Sequence, residues 1–212
     1  MKILFFGDSL TDGNRDRRPE ADLNGNMGQS YPCLVSARLG RDYPEKQLTF
    51  CNRGIGGNRL SQLYARLEPD VVMERPDVVS IMAGINDCGF YSSWGLEVDV
   101  NRFQSLYHRL INEIRGFLPE VKFLLCEPVF YPAGWRKDNQ EHIAEMLPPV
   151  RRAVQEVARE QGIPFVALQD KFTALCEKGN PEYWLWDGIH PTLAGHQLIA
   201  DEWIKTFWQL GL

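Results

Sequence analysis

Four short blocks of the sequence contain residue types that can act together in catalysis. They combine a serine hydroxyl, a histidine, several carboxyl groups, an asparagine amide and a group of glycines. In chain order the blocks are Gly7-Asp8-Ser9-Leu10-Thr11-Asp12, Asn52-Arg53-Gly54-Ile55-Gly56-Gly57-Asn58, Ala83-Gly84-Ile85-Asn86-Asp87 and Asp187-Gly188-Ile189-His190-Pro191. Serine, histidine and carboxylate are the groups that an activated serine nucleophile requires, so the blocks predict acyl transfer.

Within these blocks, each residue type suggests one role. Ser9 would be the nucleophile, and its own backbone N–H could point at a developing oxyanion. His190 would act first as general base and then as general acid. Asp187 could curl back to accept a hydrogen bond from the histidine Nδ1–H, which fixes its tautomer. The Gly57 backbone N–H and the Asn86 amide would complete the oxyanion hole, because glycine has no Cβ to obstruct the substrate.

Each block taken alone also has an ordinary structural explanation. A serine after a strand is most often a helix N-cap, and His190 could be a core or capping histidine. Gly56-Gly57 is typical of a tight turn, and Asn86-Asp87 of a turn or cap. The occurrence of all four blocks in this order, at predicted strand ends, favours the catalytic interpretation.

The elements that position these blocks are short apolar segments alternating with longer amphipathic ones. Buried strands are predicted at 3–6, 48–52, 77–82, 122–126 and 164–168. Helical spacing of apolar residues occurs at 34–39, 60–67, 100–114 and 143–157, and a last helix is predicted at 193–210. This alternation predicts an α/β fold, a five-stranded parallel sheet with helices on both faces. No repeat or linker is visible, so we expect one domain spanning residues 1–212.

Three long connections, 12–30, 84–99 and 127–139, leave the carboxyl ends of strands, where open α/β sheets bind ligands. The connection 12–30 is polar and rich in Gly, Asn and Arg, whereas the other two carry aromatic residues, and exposed aromatic faces suit sugar rings. No continuous Leu/Ile/Val groove is visible for a long acyl chain, which favours short acyl groups, acetyl first. Asp8 flanks the nucleophile, and structural hydrogen bonding is its default role. The candidate substrate-binding residues are Trp186, which adjoins Asp187, together with Asp8, Tyr91, Trp94 and Trp135.

Composition argues against several other classes of protein. Lys and Arg number 23 against 28 Asp and Glu, a net charge of −5, and no basic tract marks a nucleic-acid partner. No apolar run approaches the roughly 18 residues of a membrane span. The first residues lack the apolar stretch of a signal peptide, and the five cysteines form no C-x-x-C pair. We therefore expect a cytoplasmic protein with reduced thiols.

The four blocks resemble those of the SGNH hydrolases, also called the GDSL esterase/lipase family, over residues 2 to 200. The resemblance implies a three-layer flavodoxin-like fold, a Ser9–His190–Asp187 triad, and an oxyanion hole from Ser9, Gly57 and Asn86. It also implies that no metal or cofactor is needed. Within the family, the chain is most similar to intracellular acetylxylan esterases and carbohydrate acetylesterases. The similarity lies in Gly28-Gln29-Ser30-Tyr31, Val79-Ser80-Ile81-Met82-Ala83-Gly84-Ile85-Asn86-Asp87, and Trp186-Asp187 before His190-Pro191.

The leading hypothesis is therefore an esterase that deacetylates small carbohydrates, and three alternatives stay open. The same triad could act on acyl thioesters or lysophospholipids. The segment 54–58 could instead cradle a phosphate in a binding module. Asp8, Asp12, Asp87 and His190 could form the site of a metal-dependent phosphoesterase.

Two further features of the sequence have open interpretations. Arg15, Arg17 and Arg18 could bind an anionic substrate, although a solvated loop is favoured. The apolar tail 203–208 either packs on the sheet or forms a subunit contact, so a homo-oligomer stays open.

Overall fold

A parallel sheet lies at the centre of the computed structural model, which describes residues 1–18, 23–134 and 141–212. Within these residues the strands are β1 (Lys2–Gly7), β2 (Thr49–Gly54), β3 (Val78–Met82), β4 (Lys122–Cys126) and β5 (Phe165–Val166). Their order is β2-β1-β3-β4-β5, and every neighbouring pair is parallel. This is the strand order of flavodoxin-like folds, so the predicted fold class is confirmed.

The strands follow the apolar segments closely, because central strands of a parallel sheet are buried on both faces. β3 and β4 consist almost wholly of buried side chains. β5 is shorter than the predicted 164–168, since this edge strand pairs with β4 only through Phe165 and Val166. The neighbouring residues of the predicted strand are not part of it.

Helices cover both faces of the sheet. In the described residues they are α1 (Ser9–Asp12), α2 (Leu23–Met27), α3 (Tyr31–Asp42), α4 (Leu60–Ala65), α5 (Ile85–Ser93), α6 (Val100–Phe117), α7 (Glu141–Gln161), α8 (Gln169–Cys176) and α9 (Leu193–Phe207). One buried apolar cluster joins the sheet to α4, α5, α6 and α7. A second cluster joins the opposite face to α3, α8 and α9. The protein therefore has three layers, with the sheet between two layers of helices.

Two predicted loops contain helices instead. α2 lies within the connection 12–30, and α5 occupies much of the connection 84–99. α5 buries Ile85 and Cys88 near its start but exposes Phe90 and Trp94 further along. Its apolar residues therefore form no continuous periodic face, which is why spacing alone does not reveal the helix. α8 is likewise absent from the predicted elements.

The apolar tail packs inside this protein. Trp203 and Phe207 are fully buried, and the Trp203 indole N–H donates to Ser80 Oγ at 2.8 Å in the middle of the sheet. Trp208 packs on Tyr43, with ring centroids 4.7 Å apart. In the described part of the chain, every helix is too short or too polar to cross a membrane.

Candidate active site

Ser9, His190 and Asp187 form a continuous chain of hydrogen bonds. Ser9 Oγ lies 3.0 Å from His190 Nε2, and His190 Nδ1 lies 2.8 Å from Asp187 Oδ2. An ionised carboxylate only accepts hydrogen bonds, so the proton of the neutral ring is assigned to Nδ1. Nε2 is then the acceptor for the serine hydroxyl. This is the arrangement in which a histidine can remove a proton from a serine.

Asp187 is held rigidly beneath the histidine. Its Oδ1 accepts hydrogen bonds from the backbone N–H groups of Ile189 at 3.0 Å and His190 at 2.8 Å. Burial by itself raises the pKa of the Asp187 carboxyl. The hydrogen bonds from His190 and Ile189 outweigh that effect, so the pKa lies below its usual value and the group stays ionised.

The turn that carries Asp187 and His190 is braced from two directions. The Trp186 N–H donates to the His190 carbonyl at 3.1 Å, which closes the turn on itself. The Tyr131 N–H donates to the Gly188 carbonyl at 3.0 Å. Gly134 has a φ of +67°, and a Cβ there would lie 2.5 Å from the Trp186 carbonyl oxygen. The connection after β4 thus supports the triad, a role that the sequence pattern does not indicate.

Ser9 begins a short helix directly after β1. Asp8 is its N-cap, with Oδ1 accepting from the Leu10 N–H at 3.0 Å. Ser9 is the first residue of α1, where a backbone N–H has no intrahelical partner and can face a ligand. Buried Asn52 fixes the other end of α1, because its Nδ2 donates to the Thr11 carbonyl at 2.7 Å. The nucleophile is therefore held at both ends of one helical turn.

The candidate oxyanion donors Gly57 and Asn86 share one surface cavity of about 390 Å³. Gly57 has a φ of +79°, in the left-handed region that favours glycine. Its neighbour Gly56 lies beside the nucleophile, since a Cβ there would be 3.8 Å from Ser9 Cβ. Asn86 Nδ2 donates to the Asn58 carbonyl at 3.1 Å. Because an amide nitrogen carries two N–H groups, Asn86 retains a second donor for an oxyanion.

Arg66 connects the loop of Gly57 to the ends of two strands. Its guanidinium donates to Asn58 Oδ1 at 2.8 Å, to the Arg53 carbonyl at 2.8 Å and to the Gly7 carbonyl at 3.0 Å. Asp70 pairs with the same group at 2.6 Å. Arg66 therefore fixes the position of the glycine loop relative to Ser9. The sequence does not reveal this role, since an arginine near apolar helix residues resembles any exposed charge.

Two carboxyl groups near the site act as helix caps. Asp8 is fully buried, and among the described residues its Oδ2 has no hydrogen-bond partner. Burial raises the pKa of Asp8 to about 7, although the Leu10 N–H and the His190 charge oppose this. Asp87 Oδ2 accepts from the Leu60 N–H at 3.1 Å, and burial raises its pKa to about 6. Asp8 is thus too deep to line the surface as a substrate contact.

The aromatic candidates have different positions. Trp186 is 49% exposed and stacks on the His190 ring, with centroids 5.8 Å apart and planes at 24°. Tyr91 is half-buried and lines a separate cavity of about 180 Å³ together with Asp87. Trp94 is strongly exposed on the surface beyond α5. Trp135 lies outside the described residues. Trp186 is therefore the described aromatic candidate with a ring contact to the triad histidine.

The first-loop arginines are not simply solvated. Arg15 is almost fully buried and lies 3.4 Å from Asp12, and Arg17 pairs with the same carboxylate at 2.8 Å. Arg18 is exposed and pairs with Asp16. The preference for a solvated loop is therefore wrong for Arg15.

The metal-site residues and part of the phosphate-binding segment 54–58 are engaged elsewhere. The Gly54 N–H donates to Asn52 Oδ1, and the Ile55 N–H to the Gly7 carbonyl. These backbone donors do not form a phosphate cradle. Asp8 and Asp87 cap helices, and Asp12 pairs with arginines. In the described ranges, no three His, Cys, Asp or Glu side chains converge in the way that a metal ion requires.

Known proteins resemble this chain in sequence and in fold. Residues 5–198 match the GDSL-like lipase/acylhydrolase family. An acetylxylan esterase from Geobacillus stearothermophilus is 33% identical over 211 residues, 96% of this chain and 92% of the relative. A solved variant of Axe2, an acetyl-xylooligosaccharide esterase from the same genus, has a TM-score of 0.84 at 31% identity. The match covers 97% of this chain and 93% of the Axe2 chain. LAE5, an alpha/beta hydrolase from the metagenome of Lake Arreo, has a TM-score of 0.83 at 31% identity. The match covers 97% of this chain and 94% of the LAE5 chain.

Proposed function

Because the chain belongs to the GDSL-like lipase/acylhydrolase family and is a carboxylic ester hydrolase, we propose that it removes acetyl groups from small carbohydrates or oligosaccharides. The reaction proceeds through an acyl-enzyme on Ser9. The observation that carries the mechanism is the hydrogen-bonded chain from Ser9 through His190 to Asp187. The substrate class is supported by the acetylxylan and acetyl-xylooligosaccharide esterases to which the chain is similar.

In the first half of the reaction, Ser9 Oγ attacks the acetyl carbonyl carbon. His190 Nε2 takes the hydroxyl proton, and the carbonyl oxygen becomes an oxyanion. The Ser9 N–H, the Gly57 N–H and the Asn86 amide donate hydrogen bonds to that oxyanion. The bond between the carbonyl carbon and the sugar oxygen then breaks, and His190 gives its proton to that oxygen, so the sugar leaves with a free hydroxyl. The acetyl group remains on Ser9.

In the second half, water replaces the sugar. His190 removes a proton from the water as its oxygen attacks the acetyl-serine carbonyl, and the same donors hold the second oxyanion. The Ser9 oxygen leaves and recovers its proton from His190, while acetate departs. Asp187 stabilises the imidazolium in both halves without itself taking the proton. Its lowered pKa suits that role, because the group must stay charged.

Trp186 is the proposed wall for the leaving sugar. His190 must protonate the sugar oxygen, so the sugar ring lies on the histidine side of Ser9. Trp186 stacks on His190 and presents about half of its surface to solvent. A sugar ring that rests on the exposed indole would place its ester oxygen beside His190 Nε2.

The test compares ester hydrolysis by wild type and by Ser9→Ala. We expect wild type to cleave p-nitrophenyl acetate better than the octanoate, to release acetate from acetylated xylo-oligosaccharides, and to gain the mass of one acetyl group in rapid-quench mass spectrometry. Ser9→Ala should show none of these. Preference for octanoate would contradict the carbohydrate substrate and favour a lipid or thioester. Full activity of Ser9→Ala would contradict the mechanism.

A further inference from the structure

The cavity that contains the oxyanion residues extends beyond them onto α4 and α5. Gly57 and Asn86 line it on one side, and the residues that line the rest are Arg59, Gln62, Gly89, Phe90 and Ser93. It is an open depression of about 390 Å³, and neither Ser9 nor His190 lines it. The reacting ester would therefore lie at its margin, next to Gly57 and Asn86. A substrate that extends past the reacting ester would therefore contact the residues of α5.

Phe90 forms a fixed apolar surface in this cavity. Phe90 is 41% exposed, and the Arg59 guanidinium carbon lies over one face of its ring, 3.8 Å from the ring centroid. The other face is the one that a ligand could contact. Tyr91 packs edge-on against the same ring, with centroids 5.5 Å apart and planes at 84°. These contacts hold the ring in place before any ligand binds. A ring that is already ordered loses little side-chain entropy on binding.

Polar side chains line the same cavity as Phe90. Arg59 supplies guanidinium N–H donors, and Gln62 supplies a side-chain amide. Ser93 Oγ donates to the Gly89 carbonyl at 2.8 Å, and its lone pairs can accept a hydrogen bond. An aromatic ring in the same cavity as hydrogen-bond donors and acceptors complements a sugar, which has a C–H face and peripheral hydroxyls. A long acyl chain would leave these polar groups without partners.

Trp186 is not among the residues that line the cavity of Phe90. Ser9 contacts His190, which stacks on Trp186, whereas the glycine loop next to Ser9 leads into the cavity of Phe90. We infer that Phe90 and Arg59 form a second sugar subsite, which binds a ring of the oligosaccharide other than the one that loses its acetyl group. The inference rests on the proposed function, since it requires a carbohydrate substrate.

The test measures acetate release from acetylated xylose and from longer acetylated xylo-oligosaccharides, with p-nitrophenyl acetate as the small reference ester. The quantity compared is kcat/KM for an acetylated sugar divided by kcat/KM for p-nitrophenyl acetate. This ratio is obtained separately for acetylated xylose and for the longer substrates. We expect Phe90→Ala to lower the ratio for the longer substrates about tenfold, which is the effect of losing one aromatic contact. Phe90→Leu, which keeps apolar volume without a flat ring, should lower it too. Phe117→Ala is the matched control, because Phe117 is 50% exposed at the end of α6.

The outcomes separate this inference from the proposed function. If wild type releases no acetate from any acetylated sugar, the proposed carbohydrate function is wrong, and so is the second subsite. If wild type is active but both Phe90 variants keep the wild-type ratio, only the subsite is wrong. A ratio that falls equally for acetylated xylose and for the longer chains also overturns the second subsite, because Phe90 would then contact the reacting sugar.

Discussion

Replacing Asp8 with asparagine should change how the stability of the protein depends on pH. Asp8 is fully buried next to the nucleophile, and its pKa is raised from 3.8 to about 7. The largest cause is burial, since Oδ2 has no hydrogen-bond partner among the described residues. Asparagine has nearly the same shape and keeps an oxygen to accept from the Leu10 N–H. Its amide carries no charge in either the folded or the unfolded chain.

The magnitude follows from the difference between the folded and unfolded pKa values. Roughly three pKa units correspond to about 4 kcal/mol. Because the folded-state pKa of Asp8 is the higher one, the folded protein binds this proton more tightly than the unfolded chain does. The contribution of Asp8 to stability is therefore fully present below about pH 4. It is lost as the pH rises towards 7, as the carboxyl group must ionise inside the protein. Asp8→Asn has no such loss.

The assay is urea unfolding of wild type and Asp8→Asn from about pH 4 to pH 8. We expect the free energy of unfolding of Asp8→Asn, relative to wild type, to rise by up to about 4 kcal/mol across this range. An unpaired amide N–H would change the free energy of unfolding of the variant by about the same amount at every pH. Its dependence on pH would therefore be unaffected. Glu45→Gln, at an exposed position, serves as control. A difference between wild type and Asp8→Asn that stays constant with pH would refute the reasoning.

Two further predictions concern the residues of the proposed oxyanion hole. Asn86→Ala should lower kcat for p-nitrophenyl acetate by about 10²–10³ with little change in KM, because the donor acts mainly on the transition state. An equal loss in Asn112→Ala, an exposed asparagine elsewhere, would contradict this. Arg66→Met should lower kcat about tenfold and the free energy of unfolding by about 3 kcal/mol, since Asp70 loses its partner and the glycine loop its anchor. Steady-state kinetics measure the first effect and urea unfolding the second. An unchanged kcat in Arg66→Met would exclude the anchoring role.

The strands and the order of the blocks could be predicted from the sequence because both depend on local patterns. A strand buried on both faces must be apolar throughout, so β1, β3 and β4 are visible as continuous apolar segments. Residues that follow parallel strands meet at one edge of the sheet, whatever the details of packing. That rule accounts for the placement of Ser9, Gly57 and Asn86, whose blocks follow β1, β2 and β3. His190 precedes α9 instead of following a strand, so its place beside Ser9 was predicted from its residue type and from the resemblance to the family.

The contacts that hold the site could not be predicted in the same way. Arg66, Asn52 and Gly134 act on backbone groups far away in the chain. A lone arginine, asparagine or glycine has no periodicity, and nothing in its neighbours indicates which carbonyl it will meet. The same limit applies to α5, whose buried residues are too few to form a periodic face.

Local patterns along the chain were enough to predict the fold class and the chemistry that the four blocks can perform, since residue type and strand patterning are local properties. Which polar groups are exposed depends instead on the tertiary structure. In the folded protein, Asp8 is buried beneath Ser9, and Arg15 lies against Asp12. Phe90 lines the cavity that Gly57 and Asn86 share, whereas Tyr91 does not. Burial depends on the packing of elements that are distant in the chain, and pKa and ligand access follow from burial.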